Sequence, residues 1–325
     1  MWLNFALLAC SSGEQVDPRD SAPVEDVVQD LRMDFPDPPE GGMQFLSPDL
    51  EVPPYSEVLF CYYGIWEGED TGVNYMLPLS VPGFTHHNQL KAVYDDRYPP
   101  GSLVQCPDPG GSMPVYAPLF EAVGIESEGA VALPEQSWLQ LPEGVAMKLR
   151  HGQRWVMDLH YVNTTGDTLK VNAAVNLGTL PIDQVEHWAA SIQFDSGELH
   201  IPPGQETVVD FNCVWPQDVT LLSLLGHMHD HGSSYEIYWN KPDGSSELLY
   251  NVPDWEPGHR EWPMMKSYDP GEVQVRAGDG FRTICKWDND SPVELGYPEE
   301  MCTTVGVAYP LEDPIGCFGG VVVQP

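Results

Sequence analysis

Short apolar runs separated by turn clusters dominate the chain, and this pattern predicts strands. Runs with alternating or compact apolar positions lie at 57–63, 155–162, 220–227, 235–239, 272–275 and 303–309. Turn clusters at 107–110, 202–204 and 242–244 separate such runs, and Pro-Asp-Gly at 242–244 predicts a hairpin. The 32 prolines and 30 glycines interrupt any long helical pattern. We therefore predict an all-β protein.

The length of the chain predicts two domains. Its 325 residues exceed one average domain, and a hydrophobic content of 42% is sufficient for two cores. The turn at 202–204 and a separate set of cysteines beginning at Cys213 place the boundary near residue 195. We expect two consecutive jelly-roll-like antiparallel β-sandwich domains, 41–195 and 196–325, with a cleft between them.

The first forty residues have the composition of a leader and a tether. Leu7-Leu8-Ala9-Cys10 looks like the lipobox of a bacterial lipoprotein, although 1–10 is short for a signal and lacks a basic start. It predicts export to the bacterial cell envelope, periplasmic or anchored to the outer membrane, with Cys10 lipidated. Residues 11–40 are rich in Asp, Glu and Pro, as in an extended tether. Because no other stretch reaches the roughly 18 apolar residues of a span, membrane contact is expected only through the lipid.

Charge excludes one class of partner. The chain has 49 acidic and 14 basic residues, a formal net charge of -35. Such a chain repels phosphate backbones, so we expect no nucleic-acid partner. The acidity is typical of a solvated surface; attraction of a cationic substrate or metal is the less favoured interpretation.

Cysteine usage indicates disulfides. Apart from Cys10 there are six cysteines, an even number, and none forms a C-x-x-C pair. This pattern fits an oxidising compartment and argues against thiolate zinc sites and thioredoxin chemistry. Six cysteines allow fifteen pairings, and counting alone leaves them open.

Histidines form three local groups. They are Thr85-His86-His87, Asp158-Leu159-His160-Tyr161 and Gly226-His227-Met228-His229. Neutral imidazole binds copper, zinc, iron and nickel, and residues i and i+2 of a strand share a face, so the third group can bind one ion. Adjacent strand residues face opposite sides, so the first group needs a bulge to share a metal.

Each of these signals has a simpler interpretation when it is taken alone. A single strand histidine is more often structural, which applies to His160 and to the isolated His151, His187, His200 and His259. Met301 by itself is typical of core packing. His231 creates a second H-x-H with His229.

Considered together, the motifs resemble the core shared by two ascorbate-dependent type II copper monooxygenases, peptidylglycine alpha-hydroxylating monooxygenase and dopamine beta-monooxygenase. That family has a His-His pair and a later apolar-x-His-Tyr, then an H-x-H and a methionine directly before a cysteine. It also has a glycine three residues after its second H-x-H histidine, as Gly232 follows His229, which favours the earlier of the two registers. The resemblance extends over about 41–320 and is carried by motifs. The matching residues are His86, His87, His160, His227, His229 and Met301.

The resemblance implies two copper ions per chain. His86, His87 and His160 would bind the first, and His227, His229 and Met301 would form the catalytic second site, where oxygen is activated. Ascorbate or a similar reductant would supply electrons, and a small-molecule or peptide substrate in the cleft would be hydroxylated at a C–H bond. The implied disulfides are Cys61–Cys106, Cys213–Cys317 and Cys285–Cys302.

Four positions depart from the peptide-amidating branch. Leu225 replaces its substrate-binding Arg, Thr303 and Val305 replace an Asn and a Tyr, and Asp158 replaces a Gln. The pocket is thus more apolar, which favours a neutral or aromatic substrate over a glycine-extended peptide. One alternative is an envelope lipoprotein that binds or buffers copper without turnover. Another is a structural or adhesive pair of β-sandwiches.

Overall fold

The computed structural model describes residues 27–93, 96–106, 116–123, 139–261, 264–297 and 299–323, with the side chains of 86, 87, 116–123 and 261 excluded. Over these ranges the secondary structure is almost entirely β, which confirms the predicted fold class. The predicted signal, Cys10 and the turn at 107–110 lie outside the described residues. Within the described ranges, no helix is both long and apolar enough to cross a membrane.

Thirteen strands build the first domain. They are β1 (Val28–Asp30), β2 (Met43–Leu46), β3 (Leu50–Val52), β4 (Ser56–Ile65), β5 (Thr71–Ser80), β6 (Thr85–Val93), β7 (Leu103–Gln105), β8 (Tyr116–Val123), β9 (Leu139–Gln140), β10 (Val145–Leu149), β11 (Arg154–Asn163), β12 (Thr168–Val171) and β13 (Ala173–Leu180). A short 3-10 turn at Ile182–Gln184 follows them.

Eleven strands and one short helix build the second domain. They are β14 (His187–Asp195), β15 (Gln205–Val214), β16 (Val219–His227), β17 (Gly232–Asn240), β18 (Ser246–Val252), α1 (Gly258–Glu261), β19 (Lys266–Ser267), β20 (Val273–Val275), β21 (Gly280–Asn289), β22 (Thr303–Tyr309), β23 (Ile315–Phe318) and β24 (Val321–Val323).

The first domain encloses its core between two sheets. A five-stranded sheet in the order β7-β4-β11-β6-β8 lies over the strands β10-β5-β13-β2. The central strand β11 is buried on both faces, with Met157, Leu159 and Tyr161 in the main core and Val156 in a smaller cluster behind the sheet. Burial on both faces explains why its sequence is nearly continuously apolar.

The second domain is organised in the same way around aromatic side chains. A four-stranded sheet, β15-β21-β17-β18, lies over β16, β22 and β14. Trp215 and Trp287 are completely buried there, and Phe194 stacks on Phe281 with ring centroids 5.0 Å apart. On β15 exposed and half-buried side chains alternate, the period-two pattern expected of a strand with one solvated face.

Strand β14 joins the two domains. Its first residues pair in parallel with β10, with Val145 opposite His187, and its later residues pair with β22. The sheets of both domains thereby form one twelve-stranded sheet. Ile192 and Phe194 of β14 pack in the second core, so by packing the second domain begins before the boundary expected near residue 195.

Part of the expected tether differs from the structure; its residues 11–26 lie outside the described residues. Within 11–40, β1 pairs in parallel with β12, and the Met33 amide donates to Asn172 Oδ1 at 2.9 Å. Leu31 and Met33 pack against the first core. These apolar side chains override the acidic composition, so residues 28–33 belong to the first domain.

The strand and turn predictions agree with the described structure. Five of the six apolar runs lie within β4, β11, β16, β17 or β22, and the sixth, 272–275, coincides with β20 apart from its first residue. At 242–244 the Lys241 amide donates to the Ser245 carbonyl at 2.8 Å, closing the predicted hairpin between β17 and β18. Gly244 has φ +87, a conformation that favours glycine.

The three disulfides confirm the implied pairings. Cys61 bonds to Cys106, Cys213 to Cys317 and Cys285 to Cys302. The first fixes β4 to the segment after β7, and the other two cross-link the second domain. Three disulfides in a chain of this size indicate an exported protein.

Removing the two second-domain disulfides should destabilise it unequally. The Cys213–Cys317 bond closes 104 residues and the Cys285–Cys302 bond 17. The chain-entropy relation gives losses of about 4.7 and about 3 kcal/mol respectively when each pair is replaced by alanine. Urea unfolding followed by tryptophan fluorescence measures both. A larger loss for the short loop would contradict the entropic account.

Candidate metal centre

The H-x-H histidines meet where β16 ends. His227 is the last residue of β16 and lies opposite Thr303, the first residue of β22. His229 lies beyond the strand, so the predicted common face of a regular strand is wrong for this pair. Their ring centroids are nevertheless 5.0 Å apart at an angle of 79°. The intervening Met228 is fully buried in the second core.

The ring of His229 has a defined tautomer and charge. Its Nδ1 donates to the Glu299 carbonyl at 2.9 Å, so the lone pair is on Nε2. Burial, followed by the charges of His227 and Arg260, lowers the pKa of His229 to about 4. The imidazole is therefore neutral at pH 7, which is the form that binds a metal.

Met301 is held next to these histidines by its neighbours in sequence. Glu299 contacts the ring of His229, and Cys302 is bonded to Cys285 of the central strand β21. Thr303, two residues after Met301, pairs with His227. The structure thus brings the segment that carries Met301 alongside the segment that carries both histidines.

Two contacts concern the choice between the two possible H-x-H pairs, His227 with His229 or His229 with His231. His231 Nδ1 lies 3.2 Å from Asp290 Oδ1, so this ring forms an ion pair when it is protonated. A Cβ on Gly232 would lie 2.7 Å from Met228 Cε and 2.8 Å from Trp255 Cδ1, closer than real Cβ atoms approach. Glycine at 232 is therefore required by packing around the H-x-H turn.

The first predicted site lies on paired strands β6 and β11. His87 is directly opposite His160, and Thr85 is opposite Tyr161, so His86 is an extra residue between them. This irregularity is the bulge that the His-His pair requires, and bulges re-aim side chains. The side chains of His86 and His87 lie outside the described part of the structure.

His160 has a carboxylate partner. Its Nε2 lies 2.7 Å from Glu57 Oε1, and the side chain is mostly buried. A metal at this ring would therefore be bound through Nδ1, with Glu57 as the outer partner that orients the imidazole. On the same face, Asp158 forms an ion pair with Lys91 at 2.7 Å, both largely buried.

The grouping of His, Cys, Asp and Glu side chains in the structure does not test either predicted set of copper ligands. Among the described residues, no group of three or more His, Cys, Asp and Glu is placed to hold a metal ion. The second set has two histidines and a methionine, and the first has two histidines without described side chains. Both sets therefore stay predictions.

The four isolated histidines have local contacts of an ordinary structural kind. His151 bonds to the Gly68 carbonyl, His200 to Glu294 and His259 to the Glu256 amide, and His187 packs on Tyr309.

On the outer face of the second-domain sheet, the residues next to His227 lie on β22 and β14. Thr303 is opposite both His227 and Asp195, and its hydroxyl donates to Asp195 at 2.5 Å. Burial raises the pKa of the Asp195 carboxyl. In the next row on this face, Val305 is opposite both Leu225 and Gln193. Directly opposite residues share a face, so three of the four positions that depart from the amidating branch, Leu225, Thr303 and Val305, lie together beside His227.

A small cavity lies at the seam of the domains. Its volume is about 30 Å³, and it is lined mainly by apolar side chains, including Met147, Leu149, Trp155 and Ala190, with Ser191 beside them. Ser191 is two rows from Asp195 on β14, about 13 Å along the strand. The cavity therefore lies at some distance from the predicted second site.

Three carboxylates at these sites were missed by sequence reasoning. Glu57 contacts His160 across the sheet, and the fully buried Glu300 accepts from the amides of His229 and His231. Asp195 lies on β14, separated from His227 by β22, and accepts from Thr303. The sequence could have indicated Glu300, because it directly precedes the predicted ligand Met301. The other two depend on strand register, which composition does not reveal.

Comparisons with known proteins give no family. No protein-family model and no curated protein matches the chain. Among solved structures, the CUB1-EGF-CUB2 domain of human MASP-1/3 matches with 11% identity and a TM-score of 0.19, over 82% of this chain and 99% of that one. The infectious bursal disease virus Gx strain structure matches with 5% identity and a TM-score of 0.18, over 83% and 72%. Similarities this low carry no argument about function.

Proposed function

We propose that the protein is an exported copper-dependent monooxygenase that uses oxygen and an ascorbate-like reductant to hydroxylate a substrate C–H bond. One observation carries the proposal: the rings of His227 and His229 lie 5.0 Å apart at the point where Met301 leads into the paired strand β22. Two neutral imidazoles with one soft thioether suit copper and favour its reduced state.

The donor set fits that metal. The lowered pKa of His229, about 4, means that no proton has to leave the ring on metal binding at neutral pH. When bound, copper supplies one-electron redox chemistry and the capacity to activate oxygen. The Glu299 carbonyl orients His229, and the Cys285–Cys302 bond anchors the chain beside Met301.

The substrate proposed for this site is a neutral or aromatic small molecule or a peptide without a free carboxylate at the reacting end. Leu225 and Val305 form an apolar surface two residues along their strands from His227 and Thr303, and the side-chain amide of Gln193 lies beside them. No cation stands where the amidating branch places its Arg, because that position is Leu225. An apolar surface favours binding of the apolar part of a substrate, because contact removes both from water.

The first copper would be held by His86, His87 and His160. The contact of His160 with Glu57 and the bulge at His86 support this assignment. Outer carboxylates on ligating histidines fix the ring and increase its basicity. The proposed location is the bacterial cell envelope, with Cys10 as the lipid anchor.

The experiment uses the mature, copper-loaded protein with ascorbate and follows oxygen consumption across phenethylamines, fatty amides and peptides. Product formed in stoichiometric proportion to oxygen consumed would support the monooxygenase. Two bound coppers without coupled hydroxylation across the panel would contradict it and favour a copper-buffering lipoprotein with the same ligands.

Replacing Met301 separates the two sites. In Met301→Leu we expect the first copper to be retained and hydroxylation to fall by at least about a hundredfold, since even the outer partners of ligands typically contribute ten- to a hundredfold. Product assays and copper counting measure the two effects. Met264→Leu is the matched control, because Met264 is 50% exposed. Unchanged turnover in Met301→Leu would rule out the assignment.

Changes at His160 and Glu57 test the first site. His160→Ala should remove one copper per protein, and Glu57→Gln should weaken binding there by about ten- to a hundredfold. Titration of the protein with copper measures both. Glu294→Gln is the matched control, because Glu294 contacts the exposed His200 at 2.9 Å in the same type of pair. Equal effects of the two Glu variants would contradict the site.

A further inference from the structure

Glu300 is a completely buried carboxylate in the second domain. Its Oε2 accepts from the His229 amide and from Trp287 Nε1, each at 2.9 Å, and its Oε1 accepts from the His231 amide at 2.7 Å. Burying a carboxylate is costly unless hydrogen bonds compensate it. Here all three donors are neutral N–H groups, so the negative charge is stabilised by the dipoles of the groups around it.

The two amides belong to alternate residues of one turn. N–H groups at positions i and i+2 that converge on one point form a concave anion site. In this protein the anion is the chain's own Glu300, and the turn that wraps around it is 228–231, which carries His229. The conformation of that turn therefore depends on the carboxylate.

Glu300 also joins this turn to the segment of Met301. It precedes Met301 in sequence, and the preceding Glu299 carbonyl accepts from the His229 ring. Residues 299 and 300 thus contact the ring and the backbone of His229 respectively. The side chain of Trp255 contributes from the other side, since its Nε1 donates to the His229 carbonyl at 3.0 Å.

We propose that Glu300 is a positioning residue that fixes the distance and orientation between His229 and Met301. The proposal rests on the proposed function for the identity of the metal. The ordering of the turn by the Glu300 carboxylate does not depend on the proposed function, because it follows from hydrogen bonds within this chain.

Glu300→Gln tests it with little change in shape. A glutamine presents one oxygen and one NH₂ group, so at least one of the three donors would face another donor. Hydrogen exchange of the 229 and 231 amides should accelerate by about ten- to a hundredfold, since hydrogen bonds to charged groups are among the stronger ones. Titration with copper should show weaker binding at the second site by about ten- to a hundredfold.

Asp279→Asn is the matched control. Asp279 is also buried, and its Oδ2 accepts from Trp239 Nε1 and the Arg276 amide, each at 2.8 Å. It lies directly before β21, eight residues from Trp287 and so about 26 Å away along the strand direction. This variant should accelerate exchange at Arg276 and leave the 229 and 231 amides and both coppers unchanged.

The outcomes are distinguishable. Wild-type exchange at 229 and 231 in Glu300→Gln would overturn the proposal, and so would faster exchange with unchanged copper affinity. If Glu300→Gln does not fold, Glu300→Asp is the milder variant, because it keeps the charge on a side chain that is shorter by one methylene. We again expect faster exchange of the 229 and 231 amides and weaker copper binding at the second site. A wild-type protein that binds no copper would refute the proposed function and the positioning of a metal together. In that case the exchange measurement alone would still decide whether Glu300 orders the turn.

Discussion

The antiparallel pairing of β16 with β22 is the constraint on which the candidate site depends. It sets His227 against Thr303 at one end of the ladder and Leu225 against Val305 one row further on. A shift of one residue would move each of these side chains to the other face. The Cys285–Cys302 bond and the Glu300 carboxylate hold the entry to β22 in place. Met301 lies in that entry.

The same sheet joins the two domains, whereas the first predicted metal site lies on β6 and β11 of the separate five-stranded sheet. β14 pairs with β22 on one side and with β10 of the first domain on the other. The two sandwiches are therefore joined by backbone hydrogen bonds as well as by side-chain packing. A continuous sheet of this kind limits how far the domains can move relative to each other, since movement would break ladder bonds.

Local patterns predicted the strands well because period-two alternation and turn residues act over a few positions. β11, β16 and β22 all lie where their apolar runs predicted, and the turn before Ser245 closes as expected. What the patterns missed depends on contacts between distant residues. His229 lies outside β16 because its amide bonds to Glu300, 71 residues away. No local pattern contains that information.

Composition was misleading where a few apolar residues decided the outcome. The segment around Met33 is acidic overall, yet it packs on the first core and bonds to Asn172. The disulfide pairings were correct because the resemblance supplied them; cysteine spacing alone left fifteen possibilities. The copper ligands come from the same resemblance, and they stay predictions because no comparison with known proteins supports a family.

The most direct test of the copper assignment is a crystal structure of the copper-loaded protein with anomalous data collected on both sides of the copper edge. The account predicts one anomalous peak between the rings of His227 and His229 and next to the sulfur of Met301, with a second peak beside His160. Anomalous peaks elsewhere, with His227, His229 and Met301 contacting no copper, would contradict it.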